Sequence, residues 1–174
     1  RCFFALEQAR ADRKRYPAVN PIDSYSKYIE YPEFEEYISK RISPDWTSKV
    51  NDMKTILQRG KEVQEQINIL GDDGVPVEYH LTFWKSEVID FVILQQDAFD
   101  KIDSVCPIER QEYMLNLVMD ICHSDFKFNG FLEVMDYFKG IINICKQMNY
   151  SEFKSENFEK YLAELNSVLA ERRK

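Results

Sequence analysis

This sequence predicts an all-α fold, a helical bundle organised around one long antiparallel helix hairpin. Three observations carry that prediction. Apolar residues recur at three- and four-residue spacing in five segments from about Asp45 onward, as in helices with one buried face. The first two of these segments are separated only by "GDDGVP", Gly71 to Pro76, a tight turn that makes them antiparallel neighbours. After Leu6 no segment sustains the two-residue alternation of a half-buried strand.

The chain opens on "RCFFAL", Arg1 to Leu6, an apolar strand-like hexamer with no partner strand expected after it. A lone strand cannot satisfy its backbone groups. With no initiator Met, the hexamer is expected to be the severed edge of a larger sheet-bearing domain, and the chain a fragment. "EQARADRKR" is a short helix stopped by Pro17, because the residue before a proline avoids helical geometry. "YPAVNPIDSYSKY" is predicted as a turn-rich linker with Pro17, Asn20, Pro21 and Asp23. From Tyr31 to Arg41 a short amphipathic helix aligns Phe34, Tyr37 and Ile38.

The long helix from about Asp45 to Leu70 places Trp46, Val50, Met53, Leu57, Val63, Ile67 and Leu70 on one face. Ser43 or Asp45 can cap its start and Gly71 ends it. Gly60 is its weak link, costing about 1 kcal/mol relative to Ala. The second arm puts Val77, Leu81, Trp84, Val88 and Phe91 in register. The same period then reaches Gln95, an amide where an apolar side chain is expected. Helices follow from Pro107 to about Cys122, Phe131 to Met148 and Ser155 to about Glu171, with Pro107 at the first helical position. The expected organisation is residues 1–16 as the remnant and connecting helix, 17–44 as linker and short helix, and 45–174 as the bundle.

Composition narrows the function. A net charge of −7 argues against a nucleic-acid partner, which needs a clustered basic surface. "RKR", Arg13 to Arg15, and the terminal "ERRK" read as solvated helix ends. No apolar run approaches the roughly 20 residues that span a bilayer, so no direct membrane insertion is expected. Four cysteines without close pairing, three of them in apolar helical surroundings, suit a reduced intracellular protein. Two isolated histidines, His80 and His123, give no metal-ligand spacing. Scattered glycines form no phosphate-cradling loop, no Ser or Cys nucleophile has a His at hand, and paired acids such as Glu35 and Glu36 sit in solvated contexts. No catalytic residue and no metal site is predicted.

Three segments nonetheless resemble, in order, the C-terminal region of rotary ATPase nucleotide-binding subunits. They are "YPAVNPIDSYSKY", "LQRGKEVQEQINILG", and "VILQQDAF" with "CPIERQEYML". The last pair and the "DSYS" wording are similar to the catalytic A subunit of V-type and archaeal-type ATPases rather than to F-type β subunits. The resemblance spans roughly Cys2 to Cys122. It implies a subunit that binds ATP or ADP with Mg and couples hydrolysis or synthesis to proton or sodium transport. That subunit would sit in the cytoplasm, peripheral to the membrane, alternating with non-catalytic B subunits in a hexamer around a central shaft. It implies that Tyr16 and Phe99 pack around the adenine ring, with Gln95 as a hydrogen-bonding partner for the base. It also implies that the tip formed by Asp72, Asp73, Gly74, Val75 and Pro76 bears on the shaft. The phosphate loop would lie upstream, leaving this chain inactive alone and without tightly bound nucleotide. "GVP" replaces the usual "ALP", Tyr16 stands where Phe is frequent, and Pro21 where Trp is frequent. An F-type β fragment and a free-standing helical adaptor without nucleotide are the alternatives.

Overall fold

Helical periodicity produces helices where it is strongest. In the computed structural model, which describes residues 1–173, the body consists of α3 (Trp46–Leu70), α4 (Val77–Ile89), α5 (Ile108–His123), α6 (Phe131–Asn149) and α7 (Glu156–Arg172). Before them stand β1 (Cys2–Leu6), α1 (Gln8–Asp12), β2 (Val19–Ser26) and α2 (Pro32–Arg41). Val88, Ile89, Val118, Val134, Phe138 and Leu165 are among the residues that seal the core between α4, α5, α6 and α7. Cys122 and Cys145 lie within that core, and burial pushes both thiols up to about 12. Cys106 instead sits half-buried in a loop and Cys2 on the exposed strand, so two cysteines, not three, have helical surroundings.

The N-terminal expectation is corrected. β1 does have a partner: it pairs antiparallel with β2, which was expected to be linker, matching Phe3 with Tyr25 and Ala5 with Asn20. The pairing is interrupted between those two positions. Asn20 Oδ1 accepts the backbone N–H groups of Ile22 and Asp23 at 2.9 and 3.1 Å, folding a small turn into the strand around Pro21. The interruption abolishes two-residue alternation, and so hides the strand from its sequence. Ser24 Oγ accepts the Ala5 amide at 3.0 Å, and Lys54 Nζ donates to the Ser24 carbonyl at 2.9 Å, tying the sheet to α3.

α3 is less buried than its apolar stripe suggests. Of its 25 residues only Met53 and Gly60 are buried, and Leu70 is exposed. Tyr37 on α2 is likewise exposed, covered on one face by the Arg41 guanidinium. Pro107 stands just before α5 as its cap residue, outside the first turn.

Gly60 proves to be a requirement rather than a weakness. A β-carbon there would overlap the Ser86 side chain on α4, so glycine sets how closely the hairpin arms approach. Gly60→Ala is therefore expected to lose roughly 1–3 kcal/mol in urea unfolding through overpacking, despite alanine's better helix propensity. Adding Ser86→Gly should recover most of that loss.

Candidate functional site

The last turn of α4 widens. Over Asp90–Leu94 the chain forms a π-helical turn, and the Gln95 amide donates back to the Asp90 carbonyl at 2.9 Å. The exit leaves backbone groups that need partners from elsewhere. Asn149, at the end of α6, donates through Nδ2 to the Val92 carbonyl at 2.9 Å. The Gln96 amide donates to the Tyr16 carbonyl at 3.0 Å, bringing two segments distant in sequence together.

The Tyr16 segment is held by charge as well. The preceding Arg15 contacts Glu87 (Nη2 to Oε2, 2.5 Å) and the Asp90 carboxylate, while Arg10 Nη1 reaches Asp90 Oδ1 at 2.6 Å. Arg10, Glu87 and Asp90 are buried, and the Arg15 guanidinium lies 4.4 Å from the centre of the Phe91 ring. Burial alone would lower the Arg15 pKa, but hydrogen bonds and charge from Glu87 and Asp90 outweigh it and raise the value. Two cations and two carboxylates thus form a clasp between the α1 segment and α4. Arg15, read from sequence as a solvated helix end, is mostly withdrawn from solvent.

From Gln95 to Pro107 the chain has no α-helix or strand, yet it is closely tied. Asp103 accepts the Asp97 amide at 2.6 Å through Oδ2, and its carbonyl accepts Gln96 Nε2 at 2.7 Å. Asp97 Oδ1 accepts the Phe99 amide at 2.9 Å, and Asp100 Oδ1 accepts those of Ile102 and Asp103 at 2.8 Å. These local side-chain bonds substitute for regular structure. Burial holds the Asp103 carboxyl above its usual range. Beneath the loop, Arg110 is almost fully buried. It donates to the Ile102 carbonyl at 3.4 Å and to the Asn149 carbonyl and Oδ1 (3.3 Å), and lies 3.7 Å from Asp103.

On this fixed loop Phe99 is 99% exposed. It plugs nothing. Tyr16 is half-exposed, and the Gln95 Oε1 atom is buried without a partner. The structure therefore brings the Tyr16 backbone against the Gln95–Gln96 segment and projects Phe99 from the same loop.

At the far end of α4, the tip is a 3-10 turn over Asp72–Gly74, entered through Gly71 in the left-handed region at φ 81°. His80 Nε2 donates to the Asp72 carbonyl at 2.9 Å and the His80 ring stacks on Phe131. Asp72, Asp73, Gly74 and Pro76 are exposed, Val75 half-buried, and the neighbouring Ile69 and Leu70 are exposed. The tip thus offers acidic and apolar surface on a fixed turn.

Sequence reasoning missed the residues that hold the loop. Arg110 falls on the same helical stripe as the buried Met114, Val118 and Ile121, and Asn149 beside Cys145 and Met148. A polar residue on an apolar stripe was the available signal.

With this geometry in view, similarity to known proteins is informative. The family model described as "C-terminal domain of V and A type ATP synthase" matches residues 35–127. The V-type ATP synthase alpha chain of Protochlamydia amoebophila is 35% identical over 167 residues, covering 96% of this chain and 28% of the relative. The alpha chain of Borrelia duttonii is 34% identical over 169 residues, covering 96% and 27%. That of Chlamydia trachomatis serovar L2 is 34% identical over 167 residues, covering 96% and 28%. The chain therefore belongs to the family of C-terminal domains of V- and A-type ATP synthases. It spans little more than a quarter of the length of these relatives.

Arg110→Met is expected to cost roughly 3–5 kcal/mol in urea unfolding, because it strands the buried Asp103 carboxylate and the Asn149 carbonyl. Phe99→Ala, at a side chain touching nothing, should stay within about 0.5 kcal/mol of the parent.

Proposed function

We propose that the whole protein is the ATP-binding catalytic subunit of a rotary V/A-type ATP synthase or ATPase. In this reading it couples ATP hydrolysis or synthesis to proton or sodium movement through a separate membrane sector. It alternates with non-catalytic B subunits around a central shaft, on the cytoplasmic side of the membrane. Among the described residues no helix is long and apolar enough to cross a membrane. Residues that grip the phosphates and magnesium belong, on this proposal, to the remainder of the subunit.

The observation that carries the domain's own role is the fully exposed Phe99 ring on a loop fixed by hydrogen bonds. An aromatic with both faces open, carried on a hydrogen-bonded backbone, suits stacking on a flat heterocycle. Gln95, where the chain enters this loop, is the proposed partner for the edge of the base, since an amide offers both donor and acceptor. Tyr16, anchored through its own carbonyl and the Arg15 clasp, supplies a second ring. Chemically, these residues bind and orient the base and take no part in phosphoryl transfer. At the opposite end of α4 the tip of Asp72, Asp73, Gly74, Val75 and Pro76 is the proposed bearing surface for the shaft, its two acids suiting a basic partner.

Phe99→Ala in the assembled complex is expected to weaken ATP binding by roughly two- to tenfold, the worth of one stacking partner, while Phe99→Trp retains it. Fluorescent-nucleotide titration checks this. Unchanged affinity would favour a helical protein-interaction domain that does not touch nucleotide. The isolated chain should show no turnover in a coupled ATPase assay.

A further inference from the structure

The family match ends at residue 127, before α6 and α7, yet the last turn of α6 lies against the loop that carries Phe99. The widened turn at the end of α4 creates the need for that contact. Were the π-helical pattern to continue, the Val92 carbonyl would accept the Asp97 amide, but that amide is taken by Asp103. Asn149 Nδ2 supplies a donor in its place at 2.9 Å, in a buried position. The Asn149 carbonyl and Oδ1 meanwhile accept from Arg110, whose other terminal nitrogen donates to the Ile102 carbonyl within the loop at 3.4 Å.

Tyr150 adds a contact of its own. Its hydroxyl donates to Asp97 Oδ2 at 3.4 Å, and the other oxygen of that carboxylate accepts the Phe99 amide. Lys146, one turn back, places its ammonium 5.5 Å from the centre of the Phe91 ring in the π-helical turn.

A brace has to be fixed independently of what it holds. Cys145 and Met148 on the same turn are fully buried in the core. Ser151 Oγ donates to the Gln147 carbonyl at 2.8 Å, and Phe153 just beyond packs on Tyr113 of α5 and Phe158 of α7. The end of α6 is thus fixed to α5 and α7, whereas the stretch from Gln95 to Pro107 has no helix or strand of its own.

We propose that Asn149 and Tyr150 are positioning residues for the base-binding loop, so that the last two helices contribute to nucleotide affinity without touching nucleotide. This rests on the reading of Phe99 as a partner of the base. Asn149 fixes where the loop leaves α4, and Tyr150 steadies the carboxylate that holds the Phe99 backbone.

Two variants test this in the assembled complex. Asn149→Leu keeps the branched shape but removes both side-chain polar atoms, and Tyr150→Phe removes one hydroxyl from a partly exposed ring. Fluorescent-nucleotide titration should show affinity weakened roughly two- to fivefold by Asn149→Leu and about twofold by Tyr150→Phe. In a Phe99→Ala background Tyr150→Phe should cost nothing further, because its effect runs through Phe99 alone. Equal losses with and without Phe99 would mark general loosening and overturn the proposal. So would unchanged affinity in both variants where Phe99→Ala alone weakens binding. If Phe99→Ala leaves affinity unchanged, the nucleotide reading fails, and hydrogen exchange of the Phe99 amide decides the positioning. Faster exchange in Tyr150→Phe, with the α5 core amides unchanged, would uphold it; unchanged exchange would overturn it.

Discussion

Two carboxylates, Glu87 and Asp90, are buried where α4 ends, and burial of such groups is tolerated only when cations reach them. Arg10 and Arg15 supply those cations from the far side of the chain. This one requirement docks the β1–α1–β2 segment onto the bundle, seats the Tyr16 carbonyl over the Gln96 amide, and fixes the direction in which the chain leaves the π-helical turn. Removing either partner would leave an uncompensated buried charge, so the clasp specifies geometry more than it adds stability.

From that junction the molecule extends in two directions along one element. α4 has 13 residues, roughly 20 Å at 1.5 Å per residue, with the acidic hairpin tip at its start and the Phe99 loop just beyond its end. Gly60 lets α3 lie against it closely, which stiffens the hairpin. On the proposed reading, a push at the tip reaches the base-binding loop as a rigid displacement of α4 rather than through any flexible link. Function then sits on two short loops at the ends of a rigid helix, as loops on scaffolds commonly carry it.

The helices were legible because their apolar periods run for many turns, and the bundle follows from them. β2 was not legible, because the Asn20 turn and Pro21 break its alternation and its partner had already passed in the sequence. The buried arginines were hidden for a different reason. Composition treats charge as solvated, and nothing in "RKR" tells which arginine will meet Glu87. Arg110 and Asn149 were closer to view, since each interrupts an apolar stripe. Tyr16, Gln95 and Phe99 came from family resemblance. What the structure adds is that Phe99 faces outward, that Gln95 has an unpaired oxygen, and that Tyr16 is tied to the same loop.

The central claim is that the Tyr16 segment and the Phe99 loop form one body with α4. Residue-resolved hydrogen exchange of the Gln96 and Asp97 amides tests it most directly. Both are tied to distant partners, the Tyr16 carbonyl and the Asp103 carboxylate. They should exchange as slowly as the core amides of α5, opening only with the bundle. Exchange at the rate of an exposed, unstructured loop would contradict the account, because the two segments would then move independently.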